Sequence, residues 1–81
     1  MTREEAKKII VEEKLKHFNW NEERDLRENE VGIKFENSRW IVYATDERAS
    51  IVSGSIAEFD SENDALDNFI SRVRTEKILN S

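Results

Sequence analysis

Residues 31–44, VGIKFENSRWIVYA, carry the clearest structural signal in the chain. Val31, Ile33 and Phe35 alternate with small or charged residues, which is the period-two pattern of a strand with one buried face. An Asn-Ser pair then marks a tight turn, and the run Trp-Ile-Val-Tyr resumes a sequence rich in β-forming residues. The stretch therefore predicts a β-hairpin.

A helix is predicted upstream of this hairpin. Thr2 and Glu5 form a capping box, which places the first helical residue at Arg3. Apolar residues follow at helical spacing, namely Ala6, Ile9, Ile10, Leu15 and Phe18. The pattern predicts that the helix ends near Phe18, so that His17 lies in its last turn and interacts with its negative end.

A third antiparallel strand and a second helix are predicted downstream. Apolar residues from Ile51 to Phe59 resume an extended pattern, which Gly54 interrupts with a bend or bulge. Asp60 or Ser61 then caps a helix whose apolar ladder comprises Ala65, Leu66, Phe69, Ile70 and Val73. Between the first helix and the hairpin, residues 22–30 show no clear period and are compatible with an irregular edge strand or a loop.

These elements predict a single α+β domain over residues 1–81. The order is α-β-β-β-α: an N-terminal helix, a three-stranded antiparallel sheet, and a C-terminal helix packed on the sheet. A chain of 81 residues with 37% apolar and 38% charged residues has room for one hydrophobic core.

The composition also limits the setting and the partners. The chain has no cysteine, which excludes disulfides and thiolate zinc sites and favours a reducing compartment. Since the sequence shows no signal peptide and no membrane span, we expect a cytoplasmic protein that does not act at a membrane. A net charge of −5 repels a phosphate backbone, so direct binding to nucleic acid is not expected.

The sequence shows little sign of catalysis, of metal binding or of a cofactor. His17 is the only histidine, and a lone histidine beside a helix end is usually structural. Acids in residues 60–64 alternate as in a calcium loop, but Ala65 replaces the turn glycine and Ser71 replaces the closing glutamate. We therefore expect a protein that is not an enzyme and holds no cofactor.

Acidic residues are concentrated in two segments, residues 22–30 and 58–67. Either segment would suit a partner with a lysine- or arginine-lined surface, although a solvated loop and ordinary helix capping explain them equally simply. Trp20 and Trp40 are candidate interface anchors wherever they are exposed, because tryptophan is enriched in binding hot spots. Burial in the core is the commoner fate of such residues.

Two stretches give the chain a family resemblance. Residues 40–48, WIVYATDER, and residues 58–70, EFDSENDALDNFI, resemble small bacterial immunity proteins, in the family numbered fifty-nine among those encoded beside polymorphic toxins. The resemblance implies a non-enzymatic protein that binds the C-terminal effector domain of a toxin made by the same bacterium. It departs from the expected pattern at Ala49 and Ser50, where a turn glycine would be expected.

Candidate partner contacts follow from this resemblance and from the acidic and aromatic residues. They are Asp46, Glu47, Arg48, Glu58, Asp60, Glu62, Asp64 and Trp20. The alternative function is that of a small acidic regulatory or adaptor protein of a bacterial operon, whose exposed strand edge would pair either with a second copy, as a homodimer, or with a host enzyme. A third hypothesis is a small hydrolase that uses His17 with acidic neighbours. The sequence leaves the toxin, the contact surface and the oligomeric state open.

Overall fold

Two helices and a four-stranded mixed sheet make up the fold, which confirms the predicted α+β class. The computed structural model describes residues 1–79. Its elements are α1 (Arg3–Glu12), β1 (Phe18–Trp20), β2 (Val31–Glu36), β3 (Arg39–Ala44), a 3-10 turn (Ser53–Ser55), β4 (Ala57–Phe59) and α2 (Glu62–Leu79). The strands lie in the order β1-β2-β3-β4.

The predicted hairpin is confirmed. Strands β2 and β3 pair antiparallel, and Phe35 faces Trp40 across the two strands. The turn residues Asn37 and Ser38 have φ angles of 53° and 64°. Positive φ at both central residues matches the right-handed twist of the flanking strands, which explains why so short a connection suffices.

Helix α1 is shorter than predicted, and the sheet gains a strand that the sequence did not predict. The helix ends at Glu12 because Lys14, with φ of 52°, takes the left-handed conformation that terminates many helices. The N–H of Leu15 then donates to the carbonyl of Ile10 at 3.0 Å, and this wrapped end still buries Leu15 in the core. The chain continues as β1, which pairs parallel with β2.

The prediction that His17 interacts with the end of the first helix is wrong. His17 lies beyond Glu12 in the turn before β1, has a φ of 62°, and is exposed.

The third predicted strand is broken into smaller pieces. Ile51 makes only an isolated bridge to Thr45, and a 3-10 turn precedes the short strand β4. Ser55 causes the interruption, because its side-chain oxygen accepts the N–H of Ala44 at 2.9 Å in place of a strand carbonyl. The predicted three-stranded antiparallel sheet is therefore corrected to four strands, with one parallel pair at β1 and β2. Residues 22–30 form an irregular loop.

The hydrophobic core lies between α2 and one face of the sheet. Its buried members include Val31, Ile33, Val42, Leu66, Phe69, Ile70 and Val73. Phe69 is the largest of them and is fully buried, with its ring edge-to-face against Phe18 at 6.0 Å and Trp20 at 5.8 Å. Helix α1 is tied to α2 by a two-point contact, in which the guanidinium of Arg74 donates to both carboxylate oxygens of Glu13 at 3.0 and 2.5 Å. This contact lowers the pKa of Glu13.

The opposite face of the sheet is partly covered by a single ring. Tyr43 pairs with Gly32 across the strands and is 4% exposed. A Cβ atom at position 32 would lie 2.1 Å from Cζ of Tyr43, so the ring occupies the space that any larger residue would need. Lys34 places its Nζ 5.6 Å from the centroid of the same ring.

We expect the buried phenol of Tyr43 to make the folded protein sensitive to alkaline pH. Burial raises the pKa of Tyr43 above its usual value of 10.0, and the negative charge of Glu30 raises it further. Because the folded state holds this proton more tightly than the unfolded state, stability falls as the pH rises above about 10 through the folded pKa. The chain has one tyrosine, so the ultraviolet absorbance of tyrosinate reports this group alone.

The test compares tyrosinate titrations in buffer and in denaturant, with Tyr43→Phe as the blank. The midpoint in buffer should lie at the higher pH, and coinciding midpoints would contradict the prediction.

Candidate partner-binding surfaces

A buried ion pair fixes the loop that joins β1 to β2. Glu30 is 2% exposed, and its Oε2 lies 2.9 Å from a guanidinium nitrogen of Arg24. The backbone N–H of Arg27 donates to Oε1 of Glu30 at 3.1 Å, and the hydroxyl of Thr45 donates to the carbonyl of Arg27 at 2.6 Å. The hydrogen bond to Glu30 also raises the pKa of Arg24. This loop, residues 22–30, is called the acidic loop, and these contacts hold it at several points against the end of the sheet.

The predicted contact Asp46 is used inside its own turn. Its Oδ1 accepts hydrogen bonds from the backbone N–H groups of Arg48 at 2.8 Å and Ser50 at 3.1 Å. The carbonyl of Asp46 accepts the N–H of Asn29 at 3.0 Å, which joins this turn to the acidic loop. The side chain of Asp46 thus holds the turn that presents Glu47 and Arg48.

Glu47 and Arg48, the other two predicted contacts in this turn, are exposed. Among residues 1–79, neither forms an ion pair. Both charges are therefore available to a partner.

Replacing Ala49 by glycine should stabilise the protein by about 0.5–1 kcal/mol. Ala49 has a φ of 60°, a left-handed conformation in which the Cβ atom is unfavourable and glycine is not. This is the position where the sequence suggested a missing turn glycine. Chemical denaturation measures the gain. The matched control is Ala57→Gly in β4, where the same change in a strand should destabilise. An unchanged or lower stability for Ala49→Gly would contradict the prediction.

The 46–50 turn forms one wall of a cleft of about 740 Å³. The other walls come from the turn before β1 and from the acidic loop. The lining residues are Lys16, His17, Phe18, Leu26, Arg27, Glu28, Glu30, Glu47, Arg48 and Ala49. Charges of both signs surround the opening. Within residues 1–79 no side-chain hydrogen bond joins His17 to a carboxylate.

A second concave surface lies at the other end of β3. This groove, of about 430 Å³, is lined by Arg3, Lys7, Trp20, Asn21, Trp40 and Glu62. It contains both tryptophans of the chain. Trp20 is half-buried: its ring lies edge-to-face with Phe69 and also lines the groove. The predicted candidate Trp20 thus belongs to the core and to the surface together.

The acidic residues near the start of α2 are mostly paired with cations from elsewhere in the chain. Arg39 lies 3.8 Å from Glu58 and 3.5 Å from Asp60. Arg3 donates to Glu62 at 2.7 Å. The side chain of Asp64 forms no ion pair within residues 1–79, and its backbone N–H donates to the hydroxyl of Ser61 at 3.4 Å, which caps the helix. The second acidic segment is thereby partly neutralised, even though such exposed pairs add little stability.

Neither a metal-ligand cluster nor a membrane-spanning helix is found among residues 1–79. No group of three or more His, Asp or Glu side chains lies close enough to hold a metal ion in this part of the chain. Neither described helix combines the length and the apolar character needed to cross a membrane.

Sequence reasoning missed several residues of these two surfaces. Lys16 and Arg27 meet at the cleft only because the chain turns at Lys14, and no local pattern marks that turn. Beside the groove, Phe35 follows the alternating pattern that predicts the buried face of a strand, yet it is 53% exposed and packs on Trp40. The sequence signal for this exposure was its position two residues before the hairpin turn, because that end of the strand lies beyond the part of the sheet that α2 covers.

Comparison with known proteins identifies a family for this chain. Searches of the curated proteins and of the solved structures found no similar protein. The family model described as immunity protein 59 matches residues 3–81, which is nearly the whole chain and includes both surfaces. The chain belongs to the immunity protein 59 family.

Proposed function

We propose that this protein binds a cognate bacterial toxin in a one-to-one complex and neutralises it, without chemistry of its own. The observation that carries the proposal is the family match over residues 3–81. Immunity proteins belong to toxin systems, and a small protein can block a toxin by covering its active surface. The cognate partner in this proposal is the effector domain at the C-terminus of the toxin.

The exposed, unpaired charges of the 46–50 turn support this function. A charge with no internal partner gains more from a complementary charge on another protein than one that is already paired. The carboxylate of Asp46 holds the turn in one shape, so that little conformational freedom is lost on binding. We propose Glu47 and Arg48 as direct contacts and Asp46 as the residue that positions them.

The other predicted acidic contacts differ in how far they are already paired within the chain. Glu58, Asp60 and Glu62 would have to exchange an internal cation for one on the toxin, so that each gains less. Asp64 is exposed and has no ion pair among residues 1–79, which leaves it as the most available acid of this segment.

Binding is tested first by a tagged pull-down from the native bacterium, with the retained proteins identified by mass spectrometry. The toxin's C-terminal domain, once recovered and purified, is titrated calorimetrically with the full chain. A stoichiometry of one, together with loss of toxin activity at equimolar protein, supports the proposal. Recovery of only the chain itself or of a metabolic enzyme would favour the regulatory alternative.

The contact residues are tested by charge reversal. Glu47→Lys and Arg48→Glu should each raise the dissociation constant for the toxin domain by about tenfold or more, because like charges then face each other across the interface. Glu12→Lys makes the same change of charge as Glu47→Lys, at an exposed site of α1 outside the cleft. It should leave the dissociation constant within about twofold of the wild-type value. Equal effects at positions 12 and 47 would show that only overall charge matters.

A further inference from the structure

We infer that the groove between Trp20 and Trp40 receives an apolar side chain of the toxin, next to a toxin carboxylate that pairs with Lys7. This inference rests on the proposed function, and it adds the chemistry of the partner segment. The occupant is an exposed aromatic or branched aliphatic residue with an acidic residue beside it.

The apolar part of the inference rests on aromatic rings that the fold leaves uncovered. Phe35 and Trp40 pair across β2 and β3, and their ring centroids are 4.9 Å apart. Helix α2 covers Val31 and Ile33 on the same face of β2, but it leaves Phe35 half exposed. Trp20 and Trp40 both line the groove, and the exposed ring of Phe35 extends this apolar surface beside Trp40.

This arrangement has the composition of an interface hot spot. Hot spots are enriched in tryptophan, and they combine an apolar centre with a polar rim that excludes water. Here the rim consists of Arg3, Lys7, Asn21 and Glu62. An apolar side chain that enters the groove would remove both its own surface and the aromatic surface from water.

The carboxylate part of the inference rests on the charges of the rim. Arg3 and Glu62 offset each other through a contact of 2.7 Å. Lys7 is exposed and has no ion pair among residues 1–79, so the rim keeps one positive charge in a chain of net charge −5. An acidic group on the partner complements that charge.

A second copy of the chain fits this groove less well than a different protein. A two-fold dimer uses the same patch on both subunits, and here it would bring two Lys7 side chains toward each other. Each copy also carries a net charge of −5, which disfavours self-association. We therefore assign the groove to the toxin.

The two tryptophans provide a direct readout. The full chain is labelled with fluorotryptophan, which gives two fluorine resonances, and Trp20→Phe and Trp40→Phe assign them. Addition of unlabelled toxin domain should shift both resonances in the labelled chain. The same titration supplies the dissociation constant for each variant.

Lys7→Glu is compared with Lys8→Glu, since the two lysines are neighbours on α1 and only Lys7 lines the groove. Lys7→Glu should raise the dissociation constant by about tenfold or more, and Lys8→Glu should stay within about twofold. Phe35→Ala should weaken binding by about tenfold, as expected for an interface aromatic. Circular dichroism checks that each variant is folded.

The outcomes separate the two proposals. Tight binding by the wild type, with unmoved fluorine resonances and unchanged Lys7→Glu affinity, would overturn the groove assignment and leave the proposed function standing. Failure of the wild type to bind any toxin would overturn both. Resonances that move with the concentration of the chain itself, and not with toxin, would identify a second copy as the occupant and overturn the inference.

Discussion

Replacing Phe69 by alanine is expected to lower the free energy of unfolding by about 3–5 kcal/mol. Phe69 is fully buried in the centre of α2, where its ring meets Phe18 and Trp20 edge-to-face. The change removes buried apolar surface, leaves a cavity, and deletes both aromatic contacts. A chain of this length has a total stability of roughly 4–12 kcal/mol, so the variant loses a large share of it.

Phe35→Ala is the matched control for this experiment. It makes the same chemical change at a residue that is 53% exposed, and it should cost no more than about 1 kcal/mol. Urea denaturation followed by far-ultraviolet circular dichroism measures both variants. If Phe69→Ala costs as little as Phe35→Ala, the region around Phe69 can collapse and fill the cavity, and the prediction is wrong.

Replacing Glu30 by glutamine is expected to cost about 2–4 kcal/mol. Glutamine has nearly the same size, but it removes the charge that neutralises Arg24 and presents an N–H donor to the guanidinium. Breaking a buried pair by removing one partner typically costs about 3–5 kcal/mol, because the other charge is left unpaired. Here the cost is lower, because the side chain of Arg24 is 21% exposed to water and its Nε also lies 3.3 Å from Oε2 of Glu22.

The controls for Glu30→Gln separate the charge pair from a general effect of the acidic loop. Glu28→Gln, two residues earlier and exposed, should change stability by no more than about 0.5 kcal/mol. The double variant Arg24→Met/Glu30→Met removes both charges and should recover much of the loss. A loss of less than about 1 kcal/mol for Glu30→Gln would mean that this pair does not hold the loop.

The sequence was informative where the structure depends on local patterns. The hairpin could be predicted because alternation in β2, the Asn-Ser turn and β3 are contiguous in the chain. The capping box at Thr2 is likewise confirmed, because the side chains of Thr2 and Glu5 each accept a hydrogen bond from the other residue's backbone N–H. In each case the deciding contacts join residues only a few positions apart.

Prediction failed where a contact between distant residues overrides the pattern. Leu15 and Phe18 fall at helical spacing, yet the chain leaves the helix at Lys14, and a lysine gives no warning of a left-handed residue. Strand β1 has only three residues, and its partner in β2 follows ten residues after it. The connection between β1 and β2 is held by the ion pair of Arg24 and Glu30, and no periodicity in the sequence indicates that pair.

The candidate surfaces divide in the same way. The family resemblance suggested residues 46–48 as contacts, and the aromatic ring of Trp20 suggested an anchor. The groove around Trp20 could not be predicted, since it unites α1, β1 and β3 with the start of α2. Lys7 is one of several helix lysines in the sequence, and only the fold distinguishes it from Lys8.

The parallel pairing of β1 with β2 also has a consequence for the order of assembly. Hairpin β2–β3 closes over a two-residue turn and can form early, whereas β1 must wait until the ten-residue connection has been ordered. The amide of Asn21, which donates to Ile33 at 2.7 Å, depends on that later step. In hydrogen exchange under native conditions, this amide should therefore open more readily than those of the central hairpin, as part of a separate cooperative unit.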